Sequence, residues 1–396
     1  MTDLSPLFQP LTLPCGTVLK NRIAKSAMSD SMGDGRGNPG PGHARLYERW
    51  ADGGTALSFI GEVQGDASAA EKPGNLVLGP HTDRLAIADL TQRARRGGAL
   101  IFAQLGHAGA MAHPPISRPR GPSALALPGL TCDALSAEEI ATLPAQFAAT
   151  AKMAQGLGFS GVQIHAAHGF LLSQFLSPLF NHRTDDHGGR IQNRMRLLLG
   201  VIQAVRAATG LAFPIALKLN ATDQLAGGLS EGEALQVAEA LDDTTIDLLD
   251  ISGGTYFPGA PSASDRTTQG AYFAGFAQSA RRVFRKPIML TGGVKTARQA
   301  LDIITDGTAD VVGLARALVL YPDLPNQWRA GAALTPQFPR FQAPPEGGIT
   351  AWYTMRLTDI GLDQRPSFPN LPDAVAAYDA RDAARTRLWR DAFGAQ

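Results

Sequence analysis

Residues 194–251 read RMRLLLGVIQAVRAATGLAFPIALKLNATDQLAGGLSEGEALQVAEALDDTTIDLLDI. An amphipathic, alanine-rich stretch (Arg194–Thr209) gives way to a short apolar, β-branched run, Ile215–Leu219. A second helical stretch, Glu231–Leu241, is followed by a second apolar run, Asp247–Ile251. Strands alternating with helices are βα units on a parallel sheet. The pattern continues both ways: further strand-like runs are Arg22–Lys25, Ala56–Ile60, Leu100–Gln104, Gly161–His165, Ile288–Thr291 and Asp310–Leu314. Helical stretches at Glu138–Leu157, Ala271–Arg285 and Thr296–Thr305 lie among them. Eight such units over roughly 300 residues fit an α/β fold of the (β/α)8 TIM-barrel class. A doubly wound open sheet is the competing architecture. It usually places a Gly-rich phosphate loop after its first strand, where this chain has Ser26-Ala-Met-Ser-Asp30.

Three segments fall outside the repeat. Residues 8–20 read as a hairpin turning at Cys15-Gly16, a plug under the barrel. Residues 112–133, rich in Pro and Gly, form an insertion after strand 3 that could act as a lid. A Pro-rich stretch, Thr335–Gly348, precedes helical signals in Ile349–Gln396. The expected division is therefore a barrel over residues 1–334 and a C-terminal extension over 335–396, packed on the barrel or on a partner subunit.

The 396 residues carry 36 Lys plus Arg against 35 Asp plus Glu, a net charge of +1. So even a balance gives no electrostatic case for nucleic acid or an anionic membrane. The hydrophobic share, 44%, suffices for a sizeable core. Two cysteines, Cys15 and Cys132, exclude a disulfide framework, a four-cysteine zinc site and a cysteine-ligated iron–sulfur cluster within this chain. The start shows no basic and apolar leader, and nowhere do 18 apolar residues run together. A soluble, cytoplasmic protein is expected.

In a barrel the reacting groups stand at the C-terminal strand ends. Gly254, Gly292 and Gly293 after strands 6 and 7 let backbone N–H groups approach an anion, Arg316 adds a bidentate guanidinium, and a helix starting at Ala315 adds its dipole. These ends suggest a phosphate; the plainer alternative is that the Gly pairs only make tight turns. Lys218 sits within an apolar strand, where an ammonium needs a partner or a task. It could face a ring that gathers negative charge, form a Schiff base, or simply pair with Asp250 or Asp223. Gln104 and Ser29 are further polar groups at that end. His165 and His168 can polarise a carbonyl or nitro oxygen; without an acidic third ligand they are a poor metal site, and no metal is expected.

Together these ends resemble the Old Yellow Enzyme family of FMN-dependent, NAD(P)H-using ene reductases. The longest matching stretch is Gly158–Arg194, GFSGVQIHAAHGFLLSQFLSPLFNHRTDDHGGRIQNR. Leu11–Met28 with Lys20-Asn-Arg22, Gln104-Leu-Gly-His-Ala-Gly109, Ser252-Gly-Gly254, Thr291-Gly-Gly293 and Val311–Leu318 also match. The resemblance implies FMN as cofactor, NADPH or NADH as reductant, and a homo-oligomer, taken as a dimer. It sets the Ala27-Met28-Ser29 turn against the flavin, with Ser29 where the family keeps Thr or Cys and Ala27 in place of a Pro. Val63 would offer backbone, Gln104 would bond the pyrimidine side, and Lys218 replaces an Arg that faces the ring. Gly254, Gly293, Ala315 and Arg316 would hold the phosphate.

It also makes His165 and His168 the substrate-anchoring pair, with Phe170 and Tyr256 in the pocket. Phe170 stands where many members carry a proton-donating Tyr, and a phenyl ring donates no proton. The donor would then be Tyr256, Tyr272, Tyr353 or water. The expected reaction passes hydride from NAD(P)H through FMN to an enone, enal or nitroalkene. An FMN-dependent amine or N-methyl dehydrogenase, a flavin-free Schiff-base lyase using Lys218 and a non-enzymatic flavin-binding module are the alternatives.

Overall fold

The computed structural model describes residues 2–257, 270–332, 334–342, 344–345, 347–368 and 370–394. Eight parallel strands form the barrel: β1 (Ile23–Lys25), β2 (Leu57–Gln64), β3 (Leu100–Leu105), β4 (Gly161–Ala166), β5 (Ile215–Asn220), β6 (Leu248–Ser252), β7 (Ile288–Thr291) and β8 (Val311–Leu314). Each pairs with its sequence neighbour, and β8 closes on β1 through Val312↔Ile23 and Leu314↔Lys25. Helices α1 (His43–Asp52), α2 (Arg84–Ala94), α3 (Ala137–Gly156), α4 (Arg196–Thr209), α5 (Glu231–Asp242), α6 (Ala274–Ala280), α7 (Ala297–Thr305) and α8 (Arg316–Leu320) follow the strands in turn. The (β/α)8 barrel expected from the alternation is what the chain forms.

Period-2 alternation decides what faces inward. Ile164, Leu217, Leu249, Ile251 and Leu290 point out into the main core under the helices. The intervening Ala24, Phe59, Phe102, Ala216, Leu248, Met289 and Val311 fill the barrel floor. That floor is plugged by the N-terminal hairpin, Leu11–Thr12 against Val18–Leu19, whose Leu13 and Leu19 are buried among those residues. The turn needs Gly16, at φ 88°.

Several expected boundaries shift. The second strand runs four residues beyond Ile60 to Gln64, through a register irregularity between Ile60 and Val63, so Val63 lies inside β2. The helix expected from Arg194 is broken at Met195 into Ile191–Arg194 and α4, because buried Arg194 turns away to bond Gly189 O and to pair with Glu233. The stretch expected as Ala271–Arg285 is helical only over α6. Its first residues instead bend so that the Phe273 ring lies against Gly253, where a Cβ would meet it at 2.5 Å.

The insertion after β3 is folded and packed rather than a free lid. Its strands Arg120–Gly121, Leu125–Leu127 and Leu130–Ala134 pair with one another, and buried Leu125 and Cys132 pack with Phe180. Beyond α9 (Leu324–Arg329), α10 (Gly348–Gly361) packs on α1, and α11 (Leu371–Phe393) packs on α10. α11 also reaches the loops after β1 and β2, through Trp389 beside Val77 and Ala70 and through Arg385 bonding Ser31 O. No described helix is long and apolar enough to cross a membrane.

Leu19 is fully buried beneath the barrel. Leu19→Ala should cost about 2–5 kcal/mol, read as a lower urea midpoint with an unchanged slope.

Candidate active site

Above the apolar floor the inward positions become polar. Gln104 Nε2 donates to Gln163 Oε1 at 2.7 Å, and Gln163 Nε2 donates to Asp250 Oδ2 at 2.9 Å. Thr291 Oγ1 donates to Asp250 Oδ1 at 2.7 Å and lies 2.9 Å from Ser26 Oγ. Strands β1, β3, β4, β6 and β7 are thereby linked across the barrel by one hydrogen-bonded deck. Each amide and hydroxyl is matched, as burial at this depth demands.

Lys218 on β5 completes the deck. Its Nζ lies 2.7 Å from Asp250 Oδ2, with the lysine 1% and the aspartate 0% exposed. The pairing with Asp250 considered from sequence is therefore present. The contact is ionic in distance but not aligned as a hydrogen bond, and Nζ has no hydrogen-bond partner. A buried ammonium with unfilled donor capacity fits an electron-rich ring edge over the deck. An ion pair is unlike the apolar or cation-flanked setting that activates a Schiff-base lysine.

His165 and His168 end β4. His165 is in register with Lys218. Its Nδ1 accepts from Ala167 N at 3.3 Å, which assigns the proton of the neutral ring to Nε2, 3.4 Å from Glu62 Oε1. His168 adopts φ 62°, its N–H donating to Asn220 Oδ1, and its Nε2 lies 2.9 Å from Ser252 Oγ. Burial, and then Lys218, push His168 down to about 3. Burial, His168 and Lys218 push His165 well below the usual imidazole value. Both rings are thus neutral at physiological pH and offer N–H dipoles rather than charge.

The rings stand edge to face, centroids 5.2 Å apart. Phe170 lies 5.0 Å from His165, and Tyr256 lies 5.5 Å from His168 and 6.0 Å from Phe170. These four side chains make one wall of the mouth, and Phe170 packs with Ala108, Met111 and Ala112 of the segment after β3.

Opposite, Ser29 bridges to Gly61 in parallel register and donates its hydroxyl to Glu71 Oε2 at 3.2 Å. Gly61 carries the close approach: a Cβ there would come within 2.8 Å of Gln104 Oε1 and 3.2 Å of Ala27 Cβ, next to Met28 O. Val63 turns its side chain into the outer core, and its carbonyl accepts from Gly106 N.

At the far rim Gly254, Gly292 and Gly293 all have positive φ. A Cβ at Gly293 would strike Gly270 O at 2.1 Å, whereas at Gly254 the nearest atom is 3.4 Å away. Close chain packing thus explains Gly293, whereas a Cβ at Gly254 would meet Gln224 Oε1 only in ordinary van der Waals contact, so its positive φ is what favours glycine there. Ala315 caps α8, and the Arg316 guanidinium lies 5.7 Å from the Tyr353 ring of α10. Among the described residues no carboxylate pairs with Arg316, so its fork is open to an anion.

Two buried carboxyls lie beyond the residues picked from sequence. Burial, then Glu71, push Glu62 well up, and burial raises Glu71. Glu62, 3.4 Å from His165 Nε2, is thus a carboxyl whose burial disfavours its charged form. Gln163 was legible: it lies two residues before His165, on the same strand face. Glu71, in an irregular loop, carries no periodic signal.

The model of the NADH:flavin oxidoreductase / NADH oxidase family matches residues 6–334. An NADH-dependent flavin oxidoreductase of Talaromyces variabilis is 33% identical over 369 residues, covering 82% of this chain and 86% of that protein. One of Neonectria sp. (strain DH2) is 31% identical over 384 residues; the match spans 88% of this chain but only 50% of that longer protein. The solved old yellow enzyme homologue from Zymomonas mobilis superposes with TM-score 0.72 at 26% identity, over 88% of this chain and 98% of that one.

Asp250→Asn leaves the buried Lys218 ammonium unpaired and should cost about 3–5 kcal/mol, measured by chemical denaturation. A second expectation concerns pH. His168 stays neutral when folded but takes up a proton on unfolding, so its contribution is intact above pH ~6.5 and fades as pH falls towards 3. The stability difference, wild type minus His168→Asn, should therefore be flat above pH ~6.5. Below that it should fall by up to about 1.4 kcal/mol per pH unit.

Proposed function

Because the chain belongs to the NADH:flavin oxidoreductase / NADH oxidase family, the Old Yellow Enzyme family of the sequence resemblance, we propose that it reduces an activated alkene with NADPH or NADH. The acceptor is an enone, enal or nitroalkene. FMN is the cofactor, and when bound it supplies hydride transfer between reductant and acceptor. Residues 1–334 form the flavin-binding barrel and 335–396 its extension. In the same reading the enzyme acts on a small molecule in the cytoplasm, as a homo-oligomer.

In this proposal Ala27, Met28, Ser29, Gln104 and the backbone of Val63 line the ring edge, and Lys218 sets a positive charge against the side that becomes electron-rich on reduction. Gly254, Gly292, Gly293, Ala315 and Arg316 hold the phosphate. His165 and His168 bond the acceptor oxygen, exchanging Glu62 and Ser252 for the substrate, and stabilise the negative charge that develops there. Because both rings stay neutral, they donate without giving up a proton. Ser252 is a neutral partner, and burial disfavours charge on Glu62, so releasing either is less costly than releasing a fixed ion.

The observation that carries this reading is the neutral, edge-to-face histidine pair standing in register with an under-bonded Lys218. The test is an anaerobic titration of the FMN-loaded protein. NADPH or NADH should bleach the flavin, and an added enone should restore its colour. Bleaching by an alkylamine instead, or recovery with oxygen but no alkene, would contradict the proposal. In the His165→Ala/His168→Ala variant, reoxidation by enone should slow by about 100-fold or more.

A further inference from the structure

We infer that Tyr256 is the acid that protonates the alkene α-carbon, an inference that rests on the alkene-reductase reading above. Hydride delivered from NAD(P)H to the β-carbon converts C=C to C–C and leaves an electron pair on the α-carbon and its activating group. The Tyr256 O–H bond then breaks as a C–H bond forms at the α-carbon, and solvent water returns a proton to the phenolate.

The other O–H and N–H groups of the mouth are placed for different work. His165 directs its Nε2 proton at Glu62, and His168 Nε2 is engaged with Ser252. Glu62 is sealed behind His165, its side chain 3% exposed. The Ser29 hydroxyl donates to Glu71. Of the three tyrosines considered from sequence, Tyr353 stands beside Arg316. Tyr272 lies against Gly293, where a Cβ would meet its ring at 2.9 Å. Both belong to the phosphate rim.

Tyr256 alone of the three stands at the histidine end. Its ring touches His168 and Phe170 and is 62% exposed. Its place is fixed by the frame that fixes the anchoring pair. Tyr256 N donates to His168 O at 3.1 Å, and Thr255 bridges to His168 in parallel register. The phenol and the oxygen-binding edge therefore move as one unit, the pre-organisation that proton transfer in a bound complex needs. Desolvation in the mouth, then Glu71 and Glu62, push the Tyr256 phenol up to about 12, so it keeps its proton at pH 7.

The test uses FMN-loaded wild type, Tyr256→Phe, Phe170→Tyr and the Tyr256→Phe/Phe170→Tyr double variant, reduced anaerobically with NADPH and mixed with 2-cyclohexenone. Tyr256→Phe should slow flavin reoxidation by about 100-fold or more. Bleaching by NADPH, and the enone affinity read from the oxidised flavin spectrum, should move far less. The double variant should recover much of the loss, since Phe170 lies in the same wall. In D2O the wild-type product should carry deuterium at the α-carbon. Unchanged reoxidation in Tyr256→Phe overturns this inference alone. A wild type that no enone reoxidises overturns the alkene reading, and this inference with it.

Discussion

The Lys218–Asp250 ion pair sits at the centre of a closed barrel, out of reach of water. Two charges at that depth are tolerated only if each answers the other and the remaining lone pairs are filled. Asp250 meets the condition completely, through Gln163, Thr291 and the ammonium. Lys218 meets it in charge but not in hydrogen bonds. That asymmetry divides the barrel interior into an apolar floor, stabilised by burial, and a polar deck with one unsatisfied cation.

The deck governs the electrostatics around it. Burial above all, with Lys218 adding to it, keeps both the His165 and His168 rings neutral. Cationic charge around the mouth includes Lys218 and, at the far rim, Arg316. The wall between them is aromatic and dipolar. Such a division suits a ligand that is flat and electron-accepting at one end and anionic at the other.

Much of this was legible in the sequence because it is periodic. Apolar runs alternating with amphipathic stretches specified the barrel, and strand ends at 165–168, 218, 252–254 and 291–293 specified its mouth. What escaped lacked periodicity or depended on remote segments. Helices α1 and α2 were not singled out. Glu62 was passed over because the second strand reads as ending at Ile60, whereas it continues through a register irregularity to Gln64. Glu71 reaches the site from an irregular loop, where no local pattern announces a destination. Among Tyr256, Tyr272 and Tyr353, only three-dimensional placement could choose.

The central claim is that the under-bonded ammonium stabilises negative charge on the ring above it. The most direct measurement is the midpoint potential of bound FMN in wild type and in Lys218→Met/Asp250→Asn, which removes the cation without stranding its partner. The account predicts a lower potential in the variant, by about 30 mV for each 1.4 kcal/mol of stabilisation lost. A variant that binds FMN with an unaltered potential would contradict it.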